Sequence, residues 1–167
     1  MDKTRIFNPA IGQIPVDFSY LCGTKPWIFD RRHSVYPVVF HRYMVIELLA
    51  SILTVVVALE HLYILYIEMF AWESVGRRVF KGSLPDELFA PTRGLAANQG
   101  LYNGFLAAGL IWTFFIDDPQ WAFSIRVFFL TCIAVAAAYG AYRSSPTILL
   151  KQGVPALLAL AAVLWVG

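Results

Sequence analysis

The chain has few charged residues. Lys, Arg, Asp and Glu together make up 14% of the 167 residues, whereas about a quarter of the residues in an ordinary soluble domain are charged. Hydrophobic residues make up 59%, and the mean hydropathy is +0.63. One soluble core of this length could not bury so much apolar surface, so the composition indicates an integral membrane protein. The net charge of +2 is small and spread out, which argues against a nucleic-acid partner.

Cysteine is rare too, and the common motifs of soluble enzymes are missing. Cys22 and Cys132 show neither zinc spacing nor a disulfide framework, so we predict no metal and no cofactor. Cys132 lies in an apolar segment and reads as a small packing residue. The sequence contains no Walker loop, dinucleotide fingerprint, HExxH pair or nucleophile elbow. A membrane enzyme remains open, because such enzymes need none of these motifs.

Four apolar segments predict the fold. They cover residues 44–72, 95–116, 122–142 and 146–166, and each is near or above the ~20 residues that a helix needs to cross the hydrocarbon layer. Short loops between them favour an all-α, polytopic membrane protein, an antiparallel bundle of four transmembrane helices that forms one domain, 44–167. Ser145 and Pro146 suit the start of the fourth helix. Pro155 is predicted to kink that helix and to free the carbonyl of Lys151.

Residues 1–43 differ from the rest of the chain. They carry four of the nine prolines and six Lys or Arg, and they show no periodic apolar face. Two interpretations of this polar N-terminal extension stay open. It is either a genuine surface tail, or an upstream extension of the gene model, with natural translation starting at Met44.

Positive charge sets the predicted orientation. The first and third loops carry Arg77, Arg78, Lys81, Arg93, Arg143 and Lys151, whereas the second loop offers only Arg126. Positively charged loops tend to stay in the cytoplasm. We therefore expect a multi-pass protein of the inner (plasma) membrane with both termini outside, although the cations of residues 1–43 nearly cancel this bias if that segment belongs to the protein.

Ionisable residues inside the first apolar segment are the first candidates for function. Glu60, His61 and Glu68 lie within it, and Glu47 lies near its start. A charged side chain at bilayer depth costs about 3 kcal/mol on insertion scales, so such residues usually face a partner or a water-filled cavity. Glu47, His61 and Glu68 share one helix face, and Glu60 points about a quarter-turn away. His61 and Glu68 are separated by roughly 10 Å along the axis, which suits two positions joined by water or by another helix.

This face has two interpretations. A low dielectric disfavours the charged forms of carboxyl and imidazole groups, so these side chains could exchange protons near neutral pH and handle protons or bind a cation. Alternatively, they only hydrogen-bond within the bundle and specify which helices meet. Such bonds contribute about 0.6 kcal/mol on average, which is a weak reason to keep three ionisable groups in a membrane.

The second segment supplies a partner surface for this face. Gln99, Gly100 and Asn103 lie on one helix face, with Gly104 at its edge. Gly100 and Gly104 form a small-xxx-small pair that lets two backbones approach closely, so we predict helix packing there. The two amides are predicted either to bond across that contact or to line a site with the histidine and acids of the first segment. Tyr139 of the third segment is predicted to add its hydroxyl to this cluster.

Four stretches of sequence are distinctive. They are ALEHLYILYIEMFAWE (58–73), LAANQGLYNGFLAAGLIW (95–112), AAAYGAYR (136–143) and KQGVPALLAL (151–160). Over residues 44–167 the chain resembles the small bacterial membrane proteins grouped as the domain of unknown function 1304 family. The resemblance implies a compact four-helix integral membrane protein, and it implies no established activity and no catalytic residue. Members of that family typically begin at the first membrane helix, so residues 1–43 depart from its pattern.

The leading hypothesis is a homo-oligomeric membrane protein that binds or transports a small polar or cationic solute, or protons. The predicted intramembrane site consists of Glu60, His61, Glu68, Gln99, Asn103 and Tyr139. Two alternatives from other classes stay open. One is a membrane enzyme that acts on a lipid-like or quinone-like substrate, with His61 and the acids as acid and base. The other is a structural subunit of a membrane complex.

Overall fold

The computed structural model describes residues 36–167, with side chains from residue 42 onward. Within this range the chain is helical and has no strand, apart from an isolated bridge between Lys81 and Leu84. The predicted all-α class is therefore confirmed. Of the predicted N-terminal extension 1–43, residues 1–35 lie outside the described range.

Four long helices make up most of this part of the chain. They are α1 (Tyr36–Phe70), α2 (Phe89–Trp112), α3 (Pro119–Arg143) and α4 (Pro146–Val166). A π-helical turn (Trp72–Gly76), a short α-helical turn (Arg77–Val79) and a 3-10 turn (Asp86–Leu88) connect α1 to α2, and a second 3-10 turn (Thr113–Phe115) follows α2.

Three of the helices are long and apolar enough to cross a membrane. These are the Arg42–Phe70 part of α1, α3 and α4, so the prediction of membrane-crossing segments is confirmed for three of the four by length and composition. The remaining long helix, α2, has 24 residues. It is long enough to cross a membrane, but it is less apolar than the other three. Its amides at Asn98, Gln99 and Asn103 lower its hydropathy.

The helix boundaries follow from local chemistry. Ala71 leaves the helical conformation with φ −129° and ψ 24°, which ends α1. The Asp118 carboxylate accepts hydrogen bonds from the backbone N–H groups of Gln120 and Trp121 and caps α3. The Ser145 hydroxyl accepts from the N–H of Thr147, 3.4 Å away, so the predicted start of α4 is confirmed.

Pro155 lies close to an irregular turn in α4. Residues Leu149–Gly153 form a π-helical turn, and the backbone N–H of Val154 donates to the carbonyl of Leu149. The regular α-helix resumes at Val154, and Pro155, which has no N–H, cannot donate the usual backbone hydrogen bond to the carbonyl of Lys151. The wider π-helical turn thus lies just before the proline.

Small and branched apolar residues from all four long helices form one core. α1 contributes Ala50, Val57 and Ala58, α2 contributes Leu110, α3 contributes Leu130 and Ile133, and α4 contributes Ala156, Ala159 and Val163. Each is nearly inaccessible. Because so many of these side chains are alanine, the helices can approach one another closely in the core.

Candidate functional site

The contact between α1 and α2 brings the two polar faces together. A Cβ atom added at Gly100 would lie 3.0 Å from Cβ of Glu68, 3.1 Å from the backbone nitrogen of Met69 and 3.3 Å from the carbonyl oxygen of Leu65. At Gly104 the nearest atoms belong to the Leu65 side chain, at 3.2 Å. The backbone of α2 therefore lies directly against α1 at Gly100, one turn before the end of α1.

A hydrogen bond between Glu68 and Asn103 lies beside this close approach. The side-chain nitrogen of Asn103 donates to Oε2 of Glu68 over 3.0 Å and to the backbone carbonyl of Gln99 over 3.1 Å. Asn103 is buried and Glu68 is partly buried. Because the amide nitrogen serves as the donor, its carbonyl oxygen and the second Glu68 oxygen are the remaining acceptors. The site thus presents oxygen acceptors, which suit a proton or a cation.

His61 lies two turns deeper along α1 and is 1% exposed. Its Nδ1 is 2.9 Å from the carbonyl of Val57. A carbonyl only accepts hydrogen bonds, so this contact places the proton on Nδ1 and leaves Nε2 as the acceptor of the neutral ring. Thr54 lies on the same face about two turns before His61. It is also fully buried, and its hydroxyl donates to the carbonyl of Ala50. From Thr54 to Glu68 the polar face of α1 therefore points into the protein, whereas Glu47, at its start, is exposed.

The structure does not bring every predicted site residue to this place. The Gln99 side chain is exposed, and only its backbone carbonyl takes part. Tyr139 is 66% exposed and lines a shallow groove on the outer surface of α3 with Phe128, Thr131, Cys132, Val135 and Ala136. Glu60 is partly buried on a different side of α1 from Glu68. The residues brought together are thus Glu68 and Asn103, with His61 deeper on the same face.

Aromatic residues hold the end of α1 against the start of α2. The indole N–H of Trp72 donates to the hydroxyl of Thr92 over 3.2 Å, and its ring centroid lies 5.0 Å from that of the fully buried Phe89. The guanidinium of Arg77 lies 5.5 Å from the Phe89 ring centroid. The pairing of Trp72 with Thr92 and Phe89 depends on how the connecting segment folds, so the helix pattern in the sequence does not predict it.

A salt bridge between exposed side chains lies at this end of the molecule, which we call the polar end. Arg93 on α2 lies 3.9 Å from Glu73, which follows α1, and both side chains are largely exposed. A surface cleft of about 290 Å³ lies between them, lined also by residues 69–72 and Ser74. Among residues 42–167 no three His, Cys, Asp or Glu side chains group closely enough to hold a metal ion.

Comparisons with known proteins give a family but no activity. The family model described as "Protein of unknown function (DUF1304)" matches residues 55–164. An uncharacterized protein of Lactococcus lactis subsp. lactis (strain IL1403), YpaA, is 39% identical over 114 residues, which cover 68% of this chain and 94% of that protein. No solved structure matches the chain. The resemblance seen in the sequence is confirmed, and the chain belongs to the DUF1304 family.

Proposed function

We propose that this is a multi-pass membrane protein that binds a small cation or a proton at Glu68 and Asn103 and moves it toward His61. The Glu68–Asn103 hydrogen bond is the single observation that supports this most. It holds the Glu68 carboxylate between two helices, beside the carbonyl oxygen of the Asn103 side chain. An intramembrane acid is a costly feature that usually has a functional reason.

The proposal places all four long helices across the bilayer as an antiparallel bundle. Glu68 beside Gly100, Thr113 bonded to Arg126, and Gly140 beside Ile148 are the contacts that support this order. The Tyr43 hydroxyl also donates to the carbonyl of Val166, which brings α1 beside α4. The positively charged loops, after α1 and after α3, are placed in the cytoplasm.

The ligand would reach Glu68 from the end of the molecule that carries Arg93 and Glu73. Glu68 is two residues from the end of α1 and five residues before Glu73, so it lies close to the polar end. Farther from the polar end, the core consists of fully buried apolar side chains such as Val57, Leu110 and Leu130. His61 lies between these two regions and provides the next proton-accepting group, roughly 10 Å from Glu68.

The test is cation flux in proteoliposomes. Purified protein would be reconstituted, and uptake of protons, Na⁺, K⁺ and NH₄⁺ would be followed with trapped indicators. Glu68→Gln keeps the size and hydrogen bonding of the side chain but removes its charge, so it should lower the flux at least tenfold, and His61→Ala should lower it too. Glu87→Gln removes an exposed carboxylate from the turn before α2 and should leave the flux unchanged. Equal flux in all four proteins, or no flux in wild type, would rule out the proposal.

A further inference from the structure

The cleft of about 290 Å³ at the polar end lies between the end of α1 and the start of α2, and it is lined by residues 69–74 and Arg93. Its surface is mainly polar, although Met69, Phe70 and Ala71 have apolar side chains. Backbone groups at the end of α1 therefore form part of the cleft. We call it the headgroup cleft, for the reason developed below.

α1 ends in the headgroup cleft with open carbonyl groups. The N–H of Ala71 donates to the carbonyl of Ile67 over 3.1 Å, and Ala71 then leaves the helical conformation. Among the described residues, none of the N–H groups after Ala71 donates to the carbonyl of Met69 or Phe70. The last turn of α1 also contains no basic side chain that could balance the negative end of the helix dipole. The end of α1 thus offers two backbone oxygens to a positively charged hydrogen-bond donor.

Two opposite charges line the same cleft. Nη1 of Arg93 lies 3.9 Å from Oε1 of Glu73, and both side chains are exposed. An exposed ion pair at this distance contributes little to stability. Each charge can therefore exchange its partner for a ligand group at little cost. A ligand that satisfies both charges needs a cation and an anion of its own.

A primary ammonium group fits the acceptors of the cleft. It carries three N–H donors and no acceptor, and three acceptors are at hand in the carbonyls of Met69 and Phe70 and the carboxylate of Glu73. A trimethylammonium group has no N–H to donate to them. The guanidinium of Arg93, whose planar fork of donors matches the oxygens of a phosphate, would bind the anionic part of the ligand.

The cleft lies at the level of lipid headgroups in the membrane position proposed for α1. Trp72 lines it, and tryptophan is enriched at the membrane interface. Phe70 is 71% exposed, and Leu95, two residues farther along α2 than Arg93, is 74% exposed. Both lie on the hydrocarbon side of the charged pair, where acyl chains would pass.

We propose that the headgroup cleft binds a phosphoethanolamine group, with its ammonium on the carbonyls of Met69 and Phe70 and on Glu73, and with its phosphate diester on Arg93. This group carries one positive and one negative charge, as the cleft does, and only an ethylene unit separates them. Phosphatidylethanolamine of the membrane and soluble glycerophosphoethanolamine share this chemistry. Glycerol lipids lack the ammonium group, and choline lipids lack its N–H donors.

This inference rests on the membrane position proposed for α1 and not on the transport of a cation. Its failure can therefore be told apart from failure of the proposed function. A protein that transports cations but does not select the ethanolamine headgroup would remove only this inference. A protein that selects the headgroup but transports nothing would remove only the proposed function.

Titration calorimetry of the purified full chain in maltoside micelles tests the ligand. Dihexanoyl phosphatidylethanolamine should bind at least tenfold more tightly than the phosphatidylcholine and phosphatidylglycerol of the same chain length. Glycerophosphoethanolamine distinguishes the two sources, because weaker binding than that of the lipid assigns the cleft to the membrane lipid and equal binding assigns it to the soluble compound. Equal affinity for the three lipids, or no binding of either ethanolamine compound, would overturn the proposal.

Variants of the two charged residues test the cleft itself. Glu73→Gln and Arg93→Gln should each weaken binding of the ethanolamine lipid at least tenfold, because each removes one charge-assisted contact. Arg93→Lys keeps the positive charge and should lose less than Arg93→Gln. Glu87→Gln and Arg78→Gln remove exposed charges between α1 and α2 that do not line the cleft, so they are the matched controls and should bind as wild type does.

Thermal unfolding without lipid accompanies these titrations. All five variants should keep the wild-type midpoint, because the exposed pair contributes little to stability, so that a loss of binding reports on the cleft and not on the fold. Unchanged binding in both Glu73→Gln and Arg93→Gln, or a loss of the same size in the two control variants, would count against the headgroup cleft.

Discussion

Asn103 ties α2 to α1 by donating its side-chain N–H to Glu68 over 3.0 Å. Asn103→Leu should remove this bond and leave the carboxylate without its partner. We expect a loss of about 1 kcal/mol in the free energy of unfolding, in line with other interhelical bonds in membranes. Unfolding in mixed detergent–SDS micelles measures this. Glu68→Gln retains an oxygen acceptor for the amide, so a loss as large as that of Asn103→Leu would contradict this account.

Gly100 should tolerate no larger residue. Gly100→Ala would place a methyl group 3.0 Å from Cβ of Glu68 and 3.1 Å from the Met69 nitrogen, and part of that contact is backbone that cannot move aside. We expect destabilisation of about 1–3 kcal/mol, measured by the same unfolding experiment.

Gly94 is the matched control for that substitution. It belongs to the same helix, and nothing lies within 4 Å of an added Cβ there. Gly94→Ala should be neutral or stabilise by about 0.5–1 kcal/mol, because alanine is the better helix former. Equal losses at both glycines would mean that the close approach of the two helices contributes nothing.

Spacing alone identified much of the α1–α2 contact. Counting residues on a helix predicts that Asn103 and Gly100 share a face and that His61 and Glu68 share another. Those faces do meet at Glu68, Gly100 and Asn103, because helices that follow one another in the chain are usually neighbours. The structure turns them inward, so His61 is buried within a single chain.

Spacing could not identify which side of α3 faces the core. Apolar residues surround α3 almost completely, since lipid and the core both favour them, so the pattern does not separate Tyr139 on the outer surface from Ala137, which is fully buried. The Gln99 side chain lies at the edge of its helix face, where a small rotation of α2 decides between burial and exposure. Neither orientation follows from local sequence.

The cap of α3 follows from local sequence, because aspartate directly before proline is a favourable start for a helix. Asp118 accepts from the N–H groups of Gln120 at 2.9 Å and Trp121 at 3.0 Å. Asp118→Ala should cost about 1 kcal/mol, and Asp118→Asn should cost little, because asparagine caps equally well. Thermal unfolding in detergent would show this. Asp117→Ala should change the midpoint little, and a shift as large as that of Asp118→Ala would argue against a specific cap.

Gly109 and Phe129 form the close contact between α2 and α3, and their energies should be coupled. An added Cβ at Gly109 would overlap the Phe129 ring, so Gly109→Ala should destabilise by about 1–3 kcal/mol. Because the obstacle is a side chain, Phe129→Leu should make room for the methyl group, and the double variant should lose less than the sum of the two single losses, by about 0.5–3 kcal/mol. Additive losses would mean that the loss in Gly109→Ala does not come from the Phe129 ring, and that α3 is held to α2 mainly by the Arg126–Thr113 hydrogen bond instead.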